Sequence, residues 1–312
     1  MGERRRFTPI NLEKAEIDQQ LGNLLQRQNP YERPRQIQSF IAKRLDQLTE
    51  RSIPTDLSVS HSLVEGFIHP ATSNRVTGIY VGFLIDDPTI YEDLIENIIR
   101  RRYDPDRKSY VEPFIDPSIF AVQRTLNKYF GRTMDARPHY EEEEFYRKQT
   151  ELFGDNFRSS SGFSMREFRR NRGIAACGVL APVAQNLFTF LGYDSSLVVF
   201  RSSKNLHAFN IVTLERGKGL FEPTNPVLVF NLDGRVFDVF PALYYLGPAE
   251  YKVLVQGKKI EINHRNIQVS RSTISYGYST AYTQPEKRTY QGPLELRFKI
   301  ADGDFVWLGK NQ

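Results

Sequence analysis

A single thiol, Cys177, stands in a chain of 312 residues, within the stretch 172-RGIAACGVLAPVAQNLFTFLGY-193. The residues after it form an apolar run, so the sulfur falls at or near the first turn of a helix. Unpaired backbone N–H groups and the positive end of the helix dipole favour thiolate there, the form that attacks carbonyl carbon. Such a nucleophile needs a proton partner. Of the five histidines, His61, His69, His139, His207 and His264, the fourth has the most suitable context. It opens the run 207-HAFNIVTL-214 directly after the polar turn 202-SSKN-205, which puts its ring at a sheet edge on a rigid element. After a short GKG turn comes 220-LFEPTNP-226, with Glu222 at the end of a short strand just before Pro223. Two adjacent antiparallel strands bring His207 and Glu222 together, and a carboxylate there fixes the imidazole tautomer. Taken singly, a lone cysteine is most often a small buried hydrophobe, a histidine at a strand end is usually half-buried, and glutamate before proline is common at turns. The order of the three, and the absence of a second cysteine, carry the chemical reading.

The elements that must position them form an α+β pattern, helices first and strands afterwards. Leu12, Ala15, Leu21, Leu24 and Leu25 recur at helical intervals over 11–28. Ile37, Phe40, Ile41, Leu45 and Leu48 mark a second helix, which begins after Pro34 and ends before Ser52, and the two helices can pair as a hairpin. Short strands are expected over 57–85, a helix from Asp87-Pro88 to about Arg102, a loop over 103–118, and helices over 118–130 and 139–153. The Ser/Gly-rich and then Arg-rich segment 154–173 reads as an irregular connection. In the nucleophile's helix the stripe is Val179, Leu180, Val183, Leu187, Phe190 and Leu191, with Gly192 as its stop. Pro182 one turn in implies a kink or a later start. Downstream, SLVVFR, HAFNIVTL, VLVFNL, RVFDVF, YKVLVQ, KIEINH, TISYGY, LELRFKI and FVWLG read as strands of an antiparallel sheet. The division is a mainly helical region over 1–153 and a Cys-bearing core with a β-rich C-terminal part over 154–312.

Composition bounds the partners. With 42 basic and 37 acidic side chains the net charge is +5, and the basic residues are scattered in short clusters with no aromatic-interleaved strip, so nucleic acid is not an expected partner. One cysteine excludes an intramolecular disulfide, and no Cys/His grouping has zinc spacing, so neither metal nor other cofactor is expected. Charges interrupt every apolar cluster near the N-terminus, and no segment approaches ~18 consecutive apolar residues, the minimum for a membrane span. The expectation is a soluble, cytoplasmic protein without membrane contact.

The ordered Cys, His and acidic residue resemble the transglutaminase-like cysteine peptidase superfamily. The resemblance covers 172–226: RGIAACGVLAPVAQNLFTFLGY is similar to that family's Cys-bearing helix, LHAFNIV to its His-bearing strand, and FEPTNP to its Asp-Pro-Thr segment. It implies a helix packed on an antiparallel sheet. It further implies Cys177 as nucleophile, His207 as general base and acid, Glu222 as third member, and a peptide or protein substrate. Two departures stand out: Glu222 where the family has Asp, and Gly178 after the nucleophile where the family often has an aromatic or polar residue. Hydrolysis and acyl transfer both fit. The alternatives are acyl transfer in the manner of the arylamine acetyltransferases, to which 172-RGIAAC-177 is loosely similar, and a non-catalytic binding or assembly protein on the same scaffold.

Overall fold

The computed structural model describes residues 12–26, 31–52, 88–103, 116–129, 177–201, 206–230, 236–276, 286–300 and 303–309. The strands expected over 57–85, the helix over 139–153 and the connection over 154–173 lie outside them. Among the described residues four helices come first: α1 (Leu12–Gln26), α2 (Arg33–Ser52), α3 (Thr89–Tyr103) and α4 (Pro117–Tyr129). The helix α5 (Cys177–Phe190) follows, then β1 (Ser195–Arg201), β2 (Leu206–Leu214), β3 (Gly217–Phe230), β4 (Val236–Leu246), α6 (Pro248–Val255), β5 (Ile260–Tyr276), β6 (Glu286–Ile300) and β7 (Asp304–Gly309). The architecture is helices plus an antiparallel sheet, an α+β fold. Among the described residues no helix is long and apolar enough to cross a membrane.

The described strands form one sheet in the order β6-β5-β3-β2-β1-β7, with β4 on the other edge of β3. Every pairing is antiparallel. β3 divides its length between two neighbours. Its first part, Gly217 to Phe221, pairs with β2, and its last part, Leu228 to Phe230, pairs with β5. Between them the register with β4 shifts from Glu222 to Val227. Pro223 and Pro226 in that interval have no N–H to give to a ladder, which is why pairing lapses there. Sequence reasoning ended this strand at Glu222; the strand instead continues through the prolines to Phe230.

Helix α5 lies at the centre of the core. A single stripe predicts one buried face, yet nearly every described side chain from Leu180 to Phe190 is buried, Ala181, Ala184 and Phe188 among them. A helix apolar all round must be covered on all sides. Phe188 meets Phe221 of the sheet edge-on at 5.0 Å between ring centroids, while Phe190 is met by Tyr91 of α3 at 4.4 Å and Phe40 of α2 at 6.0 Å. On α4, Phe120 packs on Phe240 of β4. The buried residues of these helices and the sheet form one hydrophobic cluster, with members on both sides of position 153.

The far end of α5 is fixed twice. Gly192 has φ +76°, and the Tyr193 N–H reaches back to the Phe188 carbonyl and the Gly192 N–H to the Thr189 carbonyl, closing the helix as a Schellman motif. The buried Arg44 of α2 donates Nε to the Phe190 carbonyl and an Nη to the Thr189 carbonyl, both at 2.9 Å, and pairs with Glu13 of α1 at 2.5 Å. A cation there also complements the negative end of the helix dipole. One expected strand, YKVLVQ, is wrong: it belongs to α6. Pro248 at the first helical position, Glu250 in the first turn and Gly257 just past the end, at φ +68°, are helix signals that outweigh the β-branched run.

Candidate active site

Helix α5 begins at Cys177 and runs unbroken through Pro182, so the sulfur sits on the first helical residue. The missing N–H of Pro182 leaves only the Gly178 carbonyl without its helical donor. Cys177 is part-exposed, unlike most of the helix it opens. His207 lies on β2 and is paired with Phe200 of β1. β3 leaves β2 after the Asn210–Phe221 pair, so residues 206–209 of β2 have no β3 partner on that side. The start of α5 meets the strand at this gap, where the Cys177 sulfur interacts with the Ala208 backbone N–H and the His207 ring.

Glu222 completes the row. It follows Phe221, the partner of Asn210, while His207 lies three residues before Asn210, so strand alternation turns both side chains to one face of the sheet. His207 Nε2 is hydrogen-bonded to Glu222 Oε2. Since Nε2 is so engaged, Nδ1 is the nitrogen left for the sulfur. The carboxylate is fully buried, whereas the His207 side chain is 15% exposed. Its other oxygen, Oε1, accepts the Thr224 backbone N–H at 2.9 Å, so the lapse in the ladder at the prolines becomes the bracket that holds the carboxylate. Gln123 of α4 is also completely buried and donates Nε2 to the Pro223 carbonyl at 3.3 Å, tying the same segment to a helix.

The charges follow from these contacts. Burial pushes the Cys177 thiol up, but the hydrogen bond and charge of His207 and the Ala208 N–H outweigh it and hold the thiol below its ordinary value. Burial also opposes a charged His207. The Glu222 charge, with hydrogen bonds to Cys177 and Glu222, raises the imidazole well above its ordinary value all the same. A thiol pulled down beside an imidazole pushed up is the condition for a thiolate–imidazolium pair.

All three residues singled out in the sequence are thus brought together. The structure adds partners that sequence reasoning passed over. Asn210 of β2, fully buried, donates to the Ala181 carbonyl of α5 at 3.0 Å and to Gln185 Oε1 at 3.2 Å, and Gln185 in turn donates to Ser195. A signal for it was present, since an asparagine inside an otherwise apolar strand is out of character. The side chains of His61, His69, His139 and His264 lie outside the described ones. Among the described residues no group of three or more His, Cys, Asp or Glu could hold a metal ion. No protein-family model, no curated protein and no solved structure matches this chain.

Proposed function

We propose that this chain is a thiol-dependent amide or peptide hydrolase or acyl transferase that works through an acyl-enzyme, on a transglutaminase-like core. The observation that carries the reading is the continuous row of contacts from sulfur to imidazole to buried carboxylate. In the reaction, the Cys177 thiolate attacks the carbonyl carbon of an amide and a carbon–sulfur bond forms. The N–H of Cys177, which has no partner within the helix it opens, supports the negative oxygen. As the carbon–nitrogen bond breaks, the His207 imidazolium gives its proton to the departing amine, leaving a neutral ring and a thioester. His207 then takes a proton from water or from a second amine as that nucleophile attacks, and the thiolate leaves. Water gives hydrolysis and an amine gives transfer. Glu222 holds the ring with Nε2–H toward itself throughout.

An activated ester tests this without knowledge of the substrate. With p-nitrophenyl acetate at pH 6, the expected result is a burst equal to the protein present and a single acyl adduct on Cys177. The rate should exceed that of free cysteine and fall by ~10²-fold or more in His207→Ala, the usual range for losing a general base. Acylation no faster than free cysteine, and equal in the two proteins, would overturn the proposal and leave a non-catalytic scaffold.

A further inference from the structure

We infer that Asn210 is a positioning residue which sets the distance between nucleophile and base by locking the Cys-bearing helix to the His-bearing strand. The inference rests on the proposed triad and goes beyond it. Cys177 and His207 belong to separate elements, and their contact depends on how α5 lies along β2. Apolar packing fixes the two at the right separation but resists sliding weakly, because dispersion contacts have little directionality. Hydrogen bonds between the two elements do fix register. Asn210 supplies one: it is the third residue after His207 on β2, and its Nδ2 reaches the carbonyl of Ala181, one helical turn beyond Cys177. The same Nδ2 also reaches Gln185 Oε1, a turn further along.

The remainder of the side chain indicates what it is there for. Its Oδ1 is buried and has no hydrogen-bond partner among the described residues, while Nδ2 serves two acceptors on α5. An amide kept only for stability would be poorly chosen, because an unmet buried acceptor is unfavourable and an apolar residue of similar volume avoids it. Its donors aim at the helix that carries the sulfur.

The test is alkylation of the single thiol by iodoacetamide across pH, read on whole-protein mass, for the wild type, Asn210→Leu and Gln185→Leu, with thermal unfolding of each. Gln185→Leu keeps the bond from Asn210 to Ala181 and removes the rest of the network. The inference expects Asn210→Leu to unfold near the wild-type temperature while labelling at pH 6 falls about 10- to 100-fold, the scale of a misplacement of about 1 Å. Gln185→Leu should keep the wild-type profile. Should Asn210→Leu fail to fold, Asn210→Ser takes its place, since its hydroxyl is one bond too short for the carbonyl that Nδ2 meets at 3.0 Å. A folded Asn210 variant with the wild-type profile overturns the inference. So does a Gln185→Leu profile displaced as far as that of Asn210→Leu, which would reveal general loosening. A wild type that labels no faster than free cysteine at pH 6 is a different failure, that of the triad itself.

Discussion

Replacing Glu222 by glutamine changes one oxygen to an amide nitrogen, and the structure dictates where that nitrogen must go. Oε1 accepts the Thr224 N–H at 2.9 Å, and a backbone donor cannot become an acceptor, so the one oxygen of glutamine stays with Thr224. The amide NH2 then faces His207 Nε2, where Oε2 had been. An imidazole facing a donor must present a lone pair at Nε2 and carry its proton on Nδ1, toward the sulfur. It can no longer take the thiol's proton. Removing one member of a buried ion pair costs about 3–5 kcal/mol, and the lower end applies because His207 is 15% exposed. The imidazolium that holds the thiol down is destabilised by about that amount, so the midpoint of thiol ionisation moves up. A free thiol of ordinary pKa is ~0.3% thiolate at pH 6 and burial lowers that share further, so labelling at pH 6 is expected to fall by about 10²-fold or more. The chain has one cysteine, so whole-protein mass after iodoacetamide treatment reports that site alone. Coincident pH profiles for Glu222→Gln and the wild type would refute the reasoning, since neither charge nor tautomer would then reach the sulfur.

Two further outcomes follow from contacts described above. In Cys177→Ser the thiol no longer titrates and His207 faces Glu222; because the folded imidazole is raised above its ordinary 6.5, its stabilisation is fully present below pH 6.5 and lost as pH rises through the folded value. Urea unfolding should therefore show the stability difference between Cys177→Ser and Cys177→Ser/His207→Ala shrinking from pH 6 to pH 10, and a difference that grows would contradict the assignment. Gly192→Ala should destabilise the fold by about 2–4 kcal/mol, from a left-handed backbone at φ +76° and a Cβ placed 2.7 Å from Ile17 Cδ1 and 3.1 Å from the Lys14 Cα. A thermal midpoint within a degree of the wild type would show that α1 yields at no cost.

The local signals were readable wherever chain chemistry alone decides. Gly192 stops α5 because only a residue without Cβ adopts that backbone freely beside α1. The apolar stripes of α1 and α2 gave their helices, because helix periodicity is a property of neighbours three and four apart. The run YKVLVQ misled because β-branched content competed with the Pro and Gly that delimit α6, and a run of this length fits both states. The seam between β3, β2 and β5 was hidden for another reason: prolines report which donors are missing but not which strand takes the vacated edge.

The candidate site divides along the same line. The residue types and their order picked out Cys177, His207 and Glu222, because thiol, imidazole and carboxylate are chemistries a side chain carries wherever it lies. That the three touch was settled by folding: by β3 parting from β2 so that the start of α5 meets Ala208, and by the Thr224 N–H bracing a carboxylate longer than aspartate. Proton affinity was decided there as well, since the depressed thiol and the raised imidazole arise from groups distant in the chain and close in space. A sequence lists the ionisable groups; only the folded distances and the exclusion of water between them determine which group holds the proton.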